Sequence, residues 1–312
     1  MTTHLRVSAD NFSKTSVQET IEANLIAHFD WGFIDCGAYT NVVPNISGAY
    51  GDFSRLRYVN DPNFSSGKVW EGIRGNWVWE SGLQYGTPLR ISGVYVNNAF
   101  TTSGFKIDYN NGRVIFDSGI ATNSNVRLGY SYKEIQFLAA RNNPLFKQVQ
   151  SRSRRPDDTN FLISSGNYLG YSATKINLPV VSIEVISRKN TPYQLGGGSY
   201  ANYVAKFHIL GESDTEVNRV ADIICDQYDR TIFAFDLDTL AQQNAFPLKF
   251  DGTLASGARS YPDLVASGFW TTKFDQSKIA IMDCKSQQGN WIHQNLYMNT
   301  IDMSVQVVLP PK

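Results

Sequence analysis

Charge is scarce in this chain. Asp, Glu, Lys and Arg make up 18% of its 312 residues, below the quarter usual in globular domains, and 28 basic side chains cancel 28 acidic ones. A net charge of zero leaves no global field to draw the protein onto nucleic acid or anionic lipid, so any such contact needs a local patch. It also removes the repulsion that normally opposes self-association. With charge this low, much of the polar surface must be Ser, Thr, Asn and Gln, which suits a subunit covered by neighbours.

Cysteine is scarce too. Cys36, Cys225 and Cys284 are odd in number, far apart in sequence and form no C-x-x-C pair, so they read as small buried thiols in a reducing compartment rather than a disulfide framework or a zinc site. No run approaches the roughly 18–20 apolar residues of a membrane span. The polar stretch Met1 to Ser16 lacks the apolar core of a secretory signal.

Catalytic motifs are missing as well. There is no H-E-x-x-H, P-loop, G-x-S-x-G or G-x-G-x-x-G, and His4, His28, His208 and His293 are scattered. Gly196-Gly197-Gly198 lies between strands and opens no helix, so it offers no aligned amides to a phosphate. Asp236-Leu237-Asp238 has the form of a metal-binding D-x-D but lacks a third ligand nearby. His208 reads as a half-buried strand residue and His28 as a core or interface histidine on a helix. The expectation is a protein that is not an enzyme, with no catalytic, cofactor-binding or metal-binding residue and no cofactor.

Local patterns are more informative. Ser16 and Glu19 form a capping box, followed by Val17, Ile21, Leu25 and Phe29 at four-residue steps with Ile26 beside them; this predicts a helix ending near Trp31-Gly32. Residues 32–86 are dense in Gly, Asn, Tyr, Trp and Pro, and Trp70, Trp77 and Trp79 crowd one short segment. Core or sheet packing accounts for these indoles, and a ring-stacking sugar platform is the alternative. Residues 89–138 read as β: Val94 and Val96 alternate, Asn110-Asn111-Gly112 predicts a tight hairpin between Phe105–Tyr109 and Arg113–Asp117, and Val126, Leu128, Tyr130 and Tyr132 share one strand face.

Residues 139–175 read as a connector, in which Arg152, Arg154 and Arg155 precede Pro156-Asp157-Asp158. A solvated loop explains that cluster; an inter-subunit contact or a surface passing DNA is the sharper reading. From 176 onward strands are expected over Leu178–Ile186, Tyr203–Leu210, Thr231–Phe235, Phe269–Met282 and Trp291–Leu309. A second capping box, Ser213 and Glu216, opens a helix that buries Val217, Val220, Ala221, Ile224 and Tyr228. This order predicts an α+β fold, two helices packed on a mainly antiparallel sheet, with a β-rich domain added in the middle.

The pattern from Leu178-Pro179-Val180-Val181 through the glycine-rich loop, the strand Tyr203–Leu210, the helix containing Val220-Ala221-Asp222-Ile223-Ile224 and the closing strands resembles the tail-terminator and neck proteins of tailed bacteriophages. Those proteins also tend to begin with an amphipathic helix like Val17 to Phe29. The resemblance implies that residues 1–45 join 176–312 in one discontinuous terminator-like domain, with 46–150 an inserted β-rich domain and 151–175 a linker. It also implies a structural protein of the virion, assembled in the host cytoplasm. The chain would form a ring, typically of about six subunits, that caps the tail tube and meets the sheath and the head connector. DNA would pass through the lumen without sequence-specific binding, and no membrane would be involved. A lumen lined by Arg152, Arg154 and Arg155 would contradict such passage. Another tail or baseplate protein, or a carbohydrate-binding or hydrolytic protein using the Trp-rich region, are the alternatives.

Overall fold

Ser16 opens the first helix, α1 (Val17–Asp35), as a reciprocal cap: its Oγ accepts the Glu19 amide at 3.1 Å, and its own amide donates to the Glu19 carboxylate at 2.7 Å. In this computed structural model α1 does not stop at Gly32. It runs on to Asp35 and ends at Gly37, whose φ of 92° turns the chain so that the Gly37 and Ala38 amides reach the Ile34 and Phe33 carbonyls. That is the two-bond glycine C-terminus, and Gly37 rather than Gly32 has the left-handed conformation it requires.

The structure describes residues 15–44, 52–143, 177–192, 198–242, 248–249, 251–287, 291–293 and 296–310. Its class is α+β, mostly sheet with four α-helices among the described residues. After α1 come β1 (Tyr39–Val42), β2 (Arg57–Val59), β3 (Val69–Glu71), β4 (Val94–Val96), β5 (Ala99–Thr101), β6 (Phe105–Asp108), β7 (Arg113–Phe116), β8 (Val126–Leu128), β9 (Tyr130–Lys133) and β10 (Gln136–Ala139). Then follow β11 (Val180–Pro192), β12 (Ser199–Gly211), α2 (Asp214–Cys225), β13 (Thr231–Phe233), α3 (Leu237–Gln242), α4 (Tyr261–Ala266), β14 (Lys278–Gln287), β15 (Trp291–His293) and β16 (Leu296–Leu309).

The chain divides into two compact units, one of Met1–Trp31, Gln136–Gln243 and Tyr261–Lys312, the other of Gly32–Ile135 and Asn244–Ser260. The first division therefore falls at 31/32 where 45/46 was expected, and residues 244–260 group with 32–135. The expected linker, 151–175, lies outside the described residues.

The first unit is built on a seven-stranded sheet in the order β10-β11-β12-β16-β14-β13, with β15 paired to β16. All its pairs are antiparallel except β10 with β11, which are parallel in register Gln136↔Val180. Strand alternation sets the core. Ala201, Tyr203, Ala205, Phe207 and Ile209 of β12 lie beside Ile301, Met303, Val305 and Val307 of β16, and all nine are essentially buried. Phe29 of α1 meets Phe207 edge-on at 5.4 Å and stacks on Phe137 at 6.2 Å. Buried Asn24 of α1 accepts the Phe235 amide at 3.0 Å and donates to the Phe235 carbonyl at 3.2 Å, so one amide side chain satisfies a backbone pair as a strand neighbour would.

Helix α2 buries Val217, Val220, Ala221 and Ile224 as expected, but it ends at Cys225, and Tyr228 beyond it is 64% exposed. Its capping box is shifted by one residue: Ser213 Oγ accepts the Glu216 amide, while the Glu216 carboxylate accepts the amide of Glu212. The strand expected over Phe269–Met282 begins only at Lys278, after a 3-10 turn at Asp275–Ser277. Conversely, β11 and β12 extend to Pro192 and Ser199, beyond the expected ends at Ile186 and Tyr203.

The second unit contains a four-stranded sheet β2-β3-β7-β6, a three-stranded sheet β5-β4-β8 and the pair β1-β9. Its core joins Leu56, Trp70, Trp77, Val94, Val114, Val126, Leu128 and Tyr130. The strand read across Val126 to Tyr132 is broken at Gly129: β8 pairs with β4, and β9 with β1. The Asn-Gly hairpin is present, with a four-residue loop, since Asp108 pairs with Arg113. Asp108 accepts from the Asn111 amide and side chain, and the Asn76 and Trp77 amides donate to the Asn110 and Tyr109 carbonyls. Those added bonds favour the wider loop over a two-residue turn.

Candidate functional site

The candidate residues of the sequence are dispersed among structural roles. Trp70 and Trp77 are 2% and 1% exposed, and their indole N–H groups donate to the Gly67 and Arg74 carbonyls. A sugar platform needs an exposed ring face, and these two rings have none to offer. Trp77 makes only an isolated bridge with Tyr132, so Trp77 and Trp79 are not two positions of one strand face.

Asp236 accepts the Asp238 amide and the Thr239 hydroxyl at the start of α3, while Asp238 pairs with Lys273 at 3.1 Å and accepts from Thr15. The two carboxylates therefore have separate structural work. Among the described residues no group of three or more His, Cys, Asp or Glu side chains is placed to hold a metal ion. His28 and His208 lie on different elements, β15 carries His293, and His4, Arg152, Arg154, Arg155, Gly196 and Gly197 lie outside the described residues. No described helix is long and apolar enough to cross a membrane.

Strand β11 is paired with β10 only from Val180 to Ile183, and among the described residues no strand covers that edge from Glu184 to Pro192. Strand β14 is paired with β13 from Lys278 to Ala280, the Ile281 amide also donates to the Arg230 carbonyl, and among the described residues no strand covers the edge from Met282 to Gln287. Each edge departs from regular pairing at one residue. The register slips between Val185 and Ser187 and between Ile281 and Asp283. The extra residues, Ile186 and Met282, are 51% and 55% exposed.

A bulge twists a strand and re-aims its side chain, and with charges such as Arg188, Lys189 and Lys285 it discourages indiscriminate edge pairing. What remains is selective: two open edges on one sheet, each marked by one projecting apolar side chain.

The sheet face away from Phe207 and Ile301 is polar. Glu184, Lys206, Asp302 and Lys285 are directly opposed across β11, β12, β16 and β14, so charge alternates strand by strand. Lys206 and Asp302 are 3.2 Å apart, and His208 lies 2.9 Å from the same Glu184. Exposed pairs of this kind add little stability, on the order of 0–1 kcal/mol, but they fix which surface is complementary to it. The alternation of β16 made its inward face legible in the sequence. The bulges were not, although Met282, beyond Ile279 and Ile281, breaks the alternation of β14.

No family model matches the chain, and no curated protein matches its sequence.

Proposed function

We propose that this chain is a structural subunit of a tailed-phage virion, forming a ring at the neck or tail terminus that caps the tail tube and joins it to the head connector. The observation that carries this reading is the pair of edges that no described strand covers, β11 beyond Ile183 and β14 beyond Ile281, on opposite sides of one sheet. Two different surfaces on one protomer are what a head-to-tail contact needs, and head-to-tail contacts that close generate rings. The low charge, the zero net charge and the polar sheet face support the same reading, because neighbours can cover such a surface without stripping water from many ions. The element order, which resembles that of tail terminators, supports a place in a virion for such a ring. Of the three indoles of the sugar-platform alternative, Trp70 and Trp77 are buried and Trp79 is half-buried.

Light scattering on the purified full chain tests the assembly. A mass of several copies, about six for a terminator-type ring, is expected. Ile186→Asp or Met282→Asp, both at exposed positions, should return the monomer with its melting temperature preserved. A strictly monomeric wild-type protein that is also inert toward tail tubes and connectors overturns the proposal.

A further inference from the structure

The second unit carries an open hollow of about 490 Å3, within the size range of small-ligand pockets. One wall is the segment Asp52 to Tyr58, and Asn123 and Ser124 stand on another. Leu56 is 2% exposed, so the side chains two apart on either side of it, Arg55 and Arg57, share the opposite, exposed side. Neither arginine forms an ion pair among the described residues. Elsewhere in this unit Arg127 pairs with Asp52 at 2.6 Å, Arg113 with Asp61 and Glu71 at 3.3 Å, and Lys133 with Glu80 at 2.6 Å. Asp52 is the one acidic residue lining the hollow, and Arg127 neutralises it. The hollow therefore presents two exposed guanidinium groups, of which Arg57 stands across the ladder from Glu71, itself bound to Arg113.

Its apolar contribution is also of a particular kind. Phe53 leaves 57% of its surface open beside these arginines, and Tyr58, half-buried, is braced by the Trp70 ring at 5.8 Å. The Tyr58 hydroxyl shares a hydrogen bond with Ser66 at 3.1 Å. An exposed aromatic face, amide and hydroxyl groups, and paired guanidiniums match a ring that is apolar on one face, hydroxylated at its rim and anionic.

We infer that this hollow binds an acidic saccharide, its carboxylate held by Arg55 and Arg57 and its ring placed against Phe53. The site is independent of the ring assembly proposed above. It also differs from a platform of buried indoles, since its open aromatic ring is Phe53, while Trp70, which also lines it, is 2% exposed.

Titration calorimetry of the full chain with tri-galacturonate tests the inference, alongside its methyl ester, which removes the charge and keeps the sugar, and a short thymidine oligonucleotide. Tri-galacturonate should bind and the ester should not. Arg55→Gln with Arg57→Gln should weaken binding about tenfold or more, with melting temperature unchanged because both side chains are exposed. Phe53→Ala should weaken binding of tri-galacturonate without making it less salt-sensitive. Absence of binding, equal binding of acid and ester, or undiminished binding by the arginine double variant overturns the inference. Tighter binding of the oligonucleotide than of tri-galacturonate also overturns it, assigning the hollow to nucleic acid.

Discussion

The Nζ of Lys133 lies 2.6 Å from Oε1 of Glu80, and each side chain is only 6% exposed. Their neighbourhood is the aromatic centre of the second unit, where the Lys133 amide bonds Asn76 and Trp77 bridges Tyr132. A buried pair is costly to break and cheap to replace as a whole. Lys133→Met alone is expected to destabilise the protein by about 3 kcal/mol, because it strands the Glu80 charge. Lys133→Met combined with Glu80→Leu should recover most of that loss. Urea unfolding of the two single variants and the double variant measures the coupling, and additive losses would refute it.

Gly112 is expected to tolerate no side chain. Its φ is 65°, and a Cβ there would sit 2.5 Å from the Arg74 carbonyl oxygen and 2.7 Å from the Gly75 Cα, both backbone atoms that cannot swing away. Gly112→Ala should cost about 2 kcal/mol or more, through left-handed strain plus the displacement of segment 74–77. Gly104, also at positive φ but with open space around its Cβ position, should lose less on the same change. Thermal melts of the two variants compare them directly.

His28 makes stability depend on pH in a defined direction. Burial first, and the Arg230 charge second, lower its pKa from 6.5 to about 4, and its Nδ1 is enclosed without a hydrogen-bond partner among the described residues. Its ring meets Phe29 and Tyr261 edge-on at 5.3 Å, and burial likewise pushes the Tyr261 hydroxyl up to about 12. Below pH 6.5 the unfolded chain takes up a proton that the folded chain refuses, so this contribution is whole above pH 6.5 and declines as pH falls toward 4. The loss should reach about 2–3 kcal/mol. In His28→Leu the difference in stability between pH 7.5 and 4.5 should shrink by that amount; an unchanged difference would show that other groups set it.

The three thiols should differ sharply in reactivity. Cys36 is exposed, whereas Cys225 and Cys284 are partly buried and hydrogen-bonded to each other. Burial raises both of the latter, Cys284 to about 12, with Cys225 and Asp283 adding to the shift; Asp222 and Asp226 add to that of Cys225. Since the thiolate is the nucleophile, a disulfide reagent at pH 8 should titrate one thiol quickly and the other two only after unfolding. Cys36→Ser should abolish the fast phase.

Features carried by short sequence spans were legible before any tertiary information. The Ser16–Glu19 cap, the Val217 to Ile224 stripe of α2 and the alternation of Ile301, Met303, Val305 and Val307 rest on helical or strand periodicity and on bonds between residues close in sequence. Where the reading slipped, a distant partner decided. Gly32 and Gly37 are equally able to end a helix, and Tyr228 continues the apolar stripe of α2 with no surface to cover it. Gln136–Ala139 reads as one more strand of the β-rich region, yet it pairs in parallel with Val180–Ile183, more than forty residues on.

The sequence by itself determined the α+β class, the inward faces of the principal strands and helices, and the lack of net charge, since these depend only on composition and on the periods of the backbone. Only the tertiary structure decided where the sheet ends and what its surface offers. The bulges at Ile186 and Met282 arise from the register between strands, and the hollow at Arg55 and Arg57 is bounded by segments some seventy residues apart. Register and hollow both depend on which distant segments meet, and local period carries no record of that.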